Sequence, residues 1–342
     1  MRHRPSMLPR TALALLFGIV LASALAAPAA ARPTARFRIV DLGTLGGNYS
    51  QAFGVNDRGQ VVGGSDIAPF SVAHAFLWSG GRMRDLGTLG GPSSTANEID
   101  NRGQVVGGAD TASGSRHAFL WSGGRMRDLG TLGGSFSTAT GINVDGVVTG
   151  TSDTASGDSH AFVWRRGRMR DLGLRPYATA NDINNRGQVV GTDISASNQF
   201  HAYSWRPGSV TDLDTLGTGF SEAFAVNDRG QAAGWASFAA AGFVHAALFT
   251  RGQMTDLGTI GGATGQSQAI GINQRGQVVG SSQTPGGAFH GFLWRDGHMI
   301  DLGAVFEGGM NGSSASDINE HGLLVGTSDV TADAAHAVVW RG

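Results

Sequence analysis

The stretch that decides the fold is residues 99–134, which read IDNRGQVVGGADTASGSRHAFLWSGGRMRDLGTLGG. The same pattern recurs seven times along the chain. One histidine marks each copy, at His74, His117, His160, His201, His245, His290 and His336. The steps between these histidines are 43, 43, 41, 44, 45 and 46 residues. A period of this size matches the roughly 40–45 residues of a four-stranded propeller blade.

Each copy has room for four short strands. Alternating and β-branched residues place those of the second copy near 95–100, 104–108, 117–121 and 126–129. A type I turn is predicted at residues 56–59, where Asn stands first and Gly fourth. A three-residue hairpin turn with a left-handed glycine is predicted at residues 79–81.

The two ends of the chain complement each other. Every marker histidine is followed 11 residues later by the Asp of a DLG-like tripeptide, except His336, because the sequence stops at Gly342. The missing strand is present at the other end, over residues 37–43. We therefore predict an all-β, seven-bladed β-propeller over residues 36–342 in which the N-terminal strand closes the last blade.

The first 31 residues resemble a secretory signal peptide. Three arginines precede an apolar run over residues 11–25, and small residues follow, with cleavage expected near Ala31 or Ala26. The alternative is a retained membrane anchor, although the run is short for a membrane span. No other segment is apolar enough to cross a membrane, so the sequence predicts a secreted or periplasmic protein.

Composition excludes several classes of protein. The chain has no Cys, which excludes disulfides and a lipid-modified cysteine. It also has no Lys, and removal of the signal would leave 22 arginines against 26 acidic residues. This mildly acidic balance argues against nucleic-acid binding. We expect a monomer without cofactors.

The recurring motifs IN-x-R-G-Q-V-V-G, H-A-F-L-W and M-x-D-L-G-T-L-G-G resemble the HAF-repeat family of bacterial extracellular proteins. The resemblance covers about residues 37–342. Departures from the pattern include Tyr203, Ala247, Phe249 and Gly291. The family implies a repeat architecture and an extracellular location, and it carries no activity that can be transferred.

The repeated histidines and aspartates are interpreted as structural. A catalytic or metal site is made once, from converging ligands, whereas these residues recur in every copy. His74 should lie on a packing face between blades, with a hydrogen bond to a neighbouring blade. A three-residue hairpin turn would put Asp85 on the face opposite to His74, so we expect Asp85 to cap its own turn and not to pair with His74. No metal ligands and no catalytic residues are predicted.

Three acids outside the repeat pattern support an alternative. Glu98, Asp182 and Asp317 occupy the same position in copies two, four and seven, just before the apolar residue that precedes the type I turn. They could line a central channel and serve an enzyme, a glycan hydrolase or lyase. The competing interpretation is a solvated or arginine-paired channel wall.

The variable loops carry most of the aromatic residues outside the repeat. Variable loops on a rigid scaffold are where binding usually resides. We therefore predict a non-catalytic binding or scaffolding module for a glycan or protein partner, with the partner on the rim that bears the long loops. The predicted ligand-binding residues are Trp235, Tyr177, Phe200, Phe220, Phe238, Phe243, Tyr49 and Phe70.

Overall fold

The computed structural model describes residues 37–69, 72–194, 199–213, 217–238, 243–306 and 312–342. Every regular element within these ranges is a β-strand, so the predicted all-β class is confirmed. No helix in the described ranges is long and apolar enough to cross a membrane. The predicted signal peptide, residues 1–31, lies outside the described residues.

The first strand stands apart from the copies, and the next three copies each form four strands. The first strand is β1 (Arg38–Asp41). Repeat 1 contains β2 (Ser50–Val55), β3 (Val61–Asp66), β4 (Ala73–Ser79) and β5 (Arg82–Asp85). Repeat 2 contains β6 (Gly90–Ile99), β7 (Val105–Thr111), β8 (Arg116–Ser122) and β9 (Arg125–Asp128). Repeat 3 contains β10 (Gly133–Ile142), β11 (Val148–Thr154), β12 (Ser159–Arg165) and β13 (Arg168–Asp171).

The last four copies follow the same plan, and the final one is a strand short. Repeat 4 contains β14 (Asp182–Ile183), β15 (Val189–Ile194), β16 (Phe200–Arg206) and β17 (Ser209–Asp212). Repeat 5 contains β18 (Gly217–Val226), β19 (Ala232–Phe238), β20 (Phe243–Thr250) and β21 (Gln253–Asp256). Repeat 6 contains β22 (Ser267–Ile272), β23 (Val278–Gln283), β24 (Phe289–Arg295) and β25 (His298–Asp301). Repeat 7 contains β26 (Ser313–Ile318), β27 (Leu324–Thr331) and β28 (Ala334–Arg341).

The strands of each repeat pair antiparallel in chain order. Repeats 1, 4, 5 and 6 are separate four-stranded sheets, while a parallel bridge between β10 and β8 joins repeats 2 and 3. Strand β1 pairs with β28, with Ile39 opposite Trp340, so the strand from the N-terminal end supplies the fourth strand of repeat 7. That pairing is the one predicted from the missing Asp after His336.

The apolar core lies between neighbouring repeats. Phe119 of repeat 2 is fully buried and packs in one cluster with Val62 and Ala75 of repeat 1. Phe76 of repeat 1 packs in the same way against Val339 of repeat 7. Because each sheet buries its faces against its neighbours, a single repeat has no complete core of its own.

The two tight turns of each repeat differ in how well the sequence predicted them. The type I turn is confirmed, because the Gly59 N–H donates to the Asn56 carbonyl at 3.0 Å. The hairpin turn contains two residues, not three. Gly80 and Gly81 have φ of 59° and 81°, as a type I′ turn requires, and Trp78 lies opposite Met83.

A ring of asparagine side chains links consecutive repeats at the type I turns. Asn56 Nδ2 donates to the carbonyl of Asp100 in repeat 2 at 3.0 Å, and Asn319 of repeat 7 donates to the carbonyl of Asn56 at 3.0 Å. Equivalent bonds extend from Asn143, Asn184, Asn227 and Asn273. Repeat 2 has Asp100 at this position, and a carboxylate cannot donate, so the ring has a gap there.

A set of serines forms a second link between repeats. Ser94 of β6 accepts a hydrogen bond from the Ala75 N–H of β4 at 2.8 Å and donates to the Gly87 carbonyl at 2.6 Å. Ser50 accepts the same bond from Ala337 at 2.8 Å, which joins repeat 7 to repeat 1. Repeats 3, 5, 6 and 7 contribute Ser137, Ser221, Ser267 and Ser313.

Candidate active site between the first strands of the repeats

A β-bulge in the first strand of the repeats determines which side chains point inward. In β6 the pairing with β7 shifts register between Ala96 and Glu98, and the same shift occurs in β2, β10, β18, β22 and β26. A bulge adds one residue and re-aims the side chains beside it. As a result two consecutive residues, Asn97 and Glu98, line the same cavity.

The first strands of all seven repeats surround one cavity of about 620 Å³. Its wall combines aromatic side chains with amides and hydroxyls, a mixture that suits an uncharged polar ligand such as a sugar. The residues that matter for its chemistry are Tyr49, Phe53, Asn97, Thr140, Asn181, Phe224 and Ser316, together with Glu98, Asp182 and Asp317.

A second cavity of about 290 Å³ lies on the side of the type I turns. Glu98, Asp182 and Asp317 line both cavities, so they stand where the two spaces meet. We call the two cavities together the channel. The side with the turns adds Asp57, Asp100, Asp228 and Glu320 to its wall. No Arg, Lys or His of the described residues lines either cavity.

Each acid of the channel lies against a glycine of the preceding repeat. A Cβ on Gly54 would lie 3.1 Å from Glu98 Oε1, and a Cβ on Gly141 would lie 3.1 Å from Asp182 Oδ1. A Cβ on Gly271 would lie 3.0 Å from the Asp317 Cα. The small residue leaves the space that the neighbouring carboxylate occupies, so the position alternates between glycine and acid over repeats 1 to 4 and again over repeats 6 and 7.

The two aspartates are held more firmly than the glutamate. Asp182 accepts hydrogen bonds from the Ile183 N–H at 2.6 Å and the Val226 N–H of repeat 5 at 2.8 Å. Asp317 makes the same pair of bonds to Ile318 and to Val55 of repeat 1, at 2.7 and 2.8 Å.

The glutamate has a freer carboxyl group. Glu98 Oε1 accepts one bond, from the Ile99 N–H at 2.8 Å. Its second oxygen accepts none from the described residues. The Glu98 side chain is half-buried and lines both cavities.

Burial raises the pKa of all three acids. It raises the pKa of Asp182 to about 6 and the pKa of Asp317 to about 7, against hydrogen bonds from backbone N–H groups that lower both. The pKa of Glu98 is raised well above its ordinary range, first by burial and then by the charges of Asp317 and Asp182. Carboxyl groups whose environments set their pKa values apart are the arrangement that acid–base catalysis uses.

The repeated histidines form pairs that the sequence did not predict. His74 Nδ1 lies 2.8 Å from Asp85 Oδ2 within one repeat, and the pair recurs in the other repeats, with Asp41 of β1 serving His336. The expectation that Asp85 would not pair with His74 was wrong. The two-residue turn shifts the register by one residue, which places Asp85 opposite Phe76 and on the histidine's face.

The same residues make two further contacts. Asp85 Oδ1 caps its turn by accepting the Gly87 N–H at 2.7 Å, and His74 Nε2 lies 3.2 Å from the carbonyl of Pro92 in the next repeat. Among the described residues, no group of three or more His, Asp or Glu side chains has the arrangement of a metal site.

The predicted ligand-binding aromatics do not form one site. Tyr49 lines the channel, whereas Trp235 lines a separate cavity of about 220 Å³ with Phe289 of repeat 6. Trp235 is half-buried, and its Nε1 donates to Glu222 Oε2 at 3.3 Å. Tyr177, Phe200 and Phe220 are exposed, and Phe243 is half-buried. Phe238 belongs to strand β19, and Phe70 lies outside the described residues. A ligand at these positions remains a prediction.

Sequence reasoning missed most of the channel wall. Phe53, Asn97 and Thr140 occupy one bulge position, and so do Asn181, Phe224, Ile270 and Ser316. No two neighbouring repeats carry the same residue there, although the position before it is Ala in every repeat. The sequence shows this variation, but it does not show the bulge that turns these side chains toward the channel.

No protein-family model and no curated protein sequence matches the chain. Solved structures do match. One is the propeller domain of the Trilobed protease from Pyrococcus furiosus, described as having an open velcro topology. It is 10% identical with a TM-score of 0.60, and the match covers 86% of this chain and 96% of that one. The fold is a β-propeller.

Two named hydrolases also have similar structures. The acylaminoacyl peptidase of Pyrococcus horikoshii has a TM-score of 0.53 at 11% identity, with 85% of this chain and 51% of that chain covered. A puromycin hydrolase has a TM-score of 0.53 at 14% identity, with 80% and 51% covered. The chain thus spans about half the length of these two hydrolases.

These comparisons contradict the predicted non-catalytic binding or scaffolding module, because the propellers it resembles belong to a protease, a peptidase and a hydrolase. The physical reason lies in the site: the prediction gave sevenfold repetition more weight than the three acids that depart from it, and the structure brings these acids together in one channel. At 10–14% identity the likeness itself shows the fold alone.

Proposed function

We propose that this propeller is an enzyme that hydrolyses a glycan in the channel, with Glu98, Asp182 and Asp317 as its reactive groups. The observation that carries the proposal is the meeting of three carboxyl groups with raised pKa in a cavity whose wall also offers aromatic rings, amides and hydroxyls. A cavity of about 620 Å³ accommodates a small-molecule ligand.

Glu98 is assigned as the general acid. Burial and the neighbouring acids raise its pKa, which favours the protonated form, and its second oxygen is not engaged by the described residues. In the proposed step the bond between the anomeric carbon and the leaving oxygen breaks, and Glu98 gives its proton to that oxygen. Water attacks the anomeric carbon, and a carboxylate takes the water's proton.

Asp182 is assigned as that base. Its pKa of about 6 leaves it largely ionised at neutral pH, and two backbone N–H groups fix its position. Asp317, with a pKa of about 7, is partly protonated near neutral pH. Cleavage should accordingly rise with pH through about 6 and decline as Glu98 loses its proton.

The charge of the channel favours hydrolysis over the lyase alternative. A lyase removes a proton beside the carboxylate of a uronic acid, and the negative charge that develops needs cationic or hydrogen-bonding stabilisation. The described residues of the channel wall include several acids and no cation. A uronate would be repelled there, so the proposed substrate is an uncharged or amine-bearing glycan.

The experiment offers the purified full chain a panel of soluble glucans, chitosan fragments and a pectate, and measures new reducing ends. Glu98→Gln should lower the rate at least about 100-fold. Asp296 lies in the exposed turn between β24 and β25 of repeat 6. Asp296→Asn is therefore the matched control and should leave the rate unchanged. Equal rates for Glu98→Gln and the parent would remove Glu98 from the mechanism. An ultraviolet-absorbing unsaturated product from pectate would establish the lyase, and no cleavage of any substrate would overturn the enzyme.

The number of blades, the closure of the ring and the location of the protein are part of the same proposal. We infer that the seven repeats are seven blades of a closed ring, supported by the bonds that Asp317, Asn319 and Ala337 of repeat 7 make with repeat 1. The signal-like residues 1–31 support action outside the cytoplasm.

A further inference from the structure

The outer hairpin of repeat 3 has a charge that no other repeat shares. It reads Arg165-Arg166-Gly167-Arg168-Met169-Arg170, with four arginines in six residues. All four side chains are exposed, and none forms an ion pair with an acid of the described residues. The proposed hydrolysis in the channel makes no use of them.

These arginines border a cavity of about 730 Å³ between repeats 3 and 4. Its other walls are apolar and are formed by Val147, Val163, Leu172, Ile183, Trp205 and Pro207. Asp171 also lines it, but that carboxylate already pairs with His160 at 2.7 Å and caps its own turn. The cavity thus combines an apolar floor with an excess of positive charge at its edge.

The junction between repeats 1 and 2 and the junction between repeats 2 and 3 show why the cavity between repeats 3 and 4 is open. Arg84 lies over the Trp121 ring at 5.4 Å, and Arg127 lies over the Trp164 ring at 5.2 Å, so both indoles are buried. Arg170 occupies the same position relative to Trp205 but makes no such stack, although both residues are described. Trp205 is only half-buried.

The glycines of the hairpins give independent support. A Cβ on Gly124 would lie 3.7 Å from the Arg84 guanidinium, and a Cβ on Gly167 would lie 3.6 Å from that of Arg127. A Cβ on Gly208, the equivalent glycine of repeat 4, would meet no atom within 4 Å. The place that an arginine fills in two earlier junctions is therefore open beside Trp205.

A second substitution makes the opening apolar. Repeats 1, 2, 4, 5 and 6 carry Gln directly before the second strand, as in Gln60, where the side chain accepts a hydrogen bond from Asn56 at 2.9 Å. Repeat 3 has Val147 there instead, and Val147 lines the cavity. The shorter apolar side chain enlarges the space and removes a polar group from it.

From this combination we propose that the cavity between repeats 3 and 4 is a binding site for a small aromatic anion, a flat ring system bearing a carboxylate or sulfonate. The open face of Trp205 would stack on the ring system, and the arginines would bind the acidic group with charge-assisted, bidentate hydrogen bonds. This occupant is chosen because it complements both the apolar floor and the positive edge.

The test uses anilinonaphthalene sulfonate, an aromatic anion whose fluorescence rises on transfer to an apolar site, titrated against the folded full chain. We expect one saturable site. Arg168→Ser, which introduces the residue that repeat 4 carries at this position, should weaken binding by about tenfold. Val147→Gln, which restores the residue of five other repeats, should weaken it as well.

Three controls make the result decisive. Arg125→Ser, the same change at the same position of repeat 2, should leave the affinity unchanged, and so should Glu98→Gln, which separates this site from the channel. Anilinonaphthalene without the sulfonate should bind at least about tenfold more weakly than the anion. Equal affinity in the parent, Arg168→Ser and Val147→Gln, or equal affinity for the uncharged analogue, would overturn the site.

Discussion

Carboxylates occur in two settings in this propeller. The Asp of each DLG-like tripeptide pairs with a histidine. In six of the seven the carboxylate also caps the turn that follows it. Glu98, Asp182 and Asp317 occur in only three repeats, face no cation of the described channel wall, and have raised pKa values. In a chain built from one repeated unit, what recurs maintains the fold, and what departs from the repeat is free to serve chemistry.

The largest expected effect comes from removing Asp41, the repeated aspartate of strand β1, whose partner His336 lies near the other end of the chain. Deleting residues 35–43 removes β1 and with it Asp41, the partner of His336. The edge of β28 would be left unpaired, so we expect severe loss of stability or aggregation. Thermal unfolding and light scattering measure both. A truncated chain that melts like the parent would show that β1 is dispensable.

The three channel acids should destabilise the folded protein as pH rises. Their pKa values are higher in the folded chain than in the unfolded chain, so the folded state binds more protons between pH 4 and 7, and stability falls as pH increases through that range. Glu98→Gln removes one of these groups. It should raise the free energy of unfolding at pH 8 by on the order of 1–3 kcal/mol and change little at pH 4.

Denaturant titrations at the two pH values measure this difference. Asp296→Asn is the matched control, because Asp296 is exposed, and it should shift neither value. A loss of stability in Glu98→Gln at pH 8 would mean that the Glu98 carboxylate supports the fold, as the repeated aspartates do.

A smaller effect, of opposite sign, is expected from the repeated pair. His160→Ala removes the partner of Asp171, which lies 2.7 Å away, and should lower the free energy of unfolding by about 1–2 kcal/mol. His298→Ala, at an exposed position of β25, should have little effect. Melting curves at neutral pH compare the two variants. Equal stability of both would show that the repeated pair contributes nothing measurable.

The sequence was informative wherever the repeat itself carried the signal. The period of about 43 residues fixed the strands of each repeat, and the missing Asp after His336 predicted the pairing of β1 with β28. The serines that join neighbouring repeats followed the same period and could have been found in the same way.

Features that depend on a single residue of register could not be read in advance. Gly80 and Gly81 fit either a two-residue or a three-residue turn, and only the first places Asp85 beside His74. The bulge at Asn97 is also invisible in the sequence, yet it decides that Asn97 and Glu98 share one cavity. The exposure of the predicted binding aromatics depends on loops that do not repeat.

The pairing of β1 with β28 also determines when β1 can pair in a newly made chain. Arg38 and Arg341, which lie opposite each other, are separated by nearly the whole described sequence. At about 5–20 residues per second, ribosomes need on the order of 15–60 s to span that interval. For all that time β1 has no partner strand, so the last repeat cannot complete its sheet until the end of the described chain has been made.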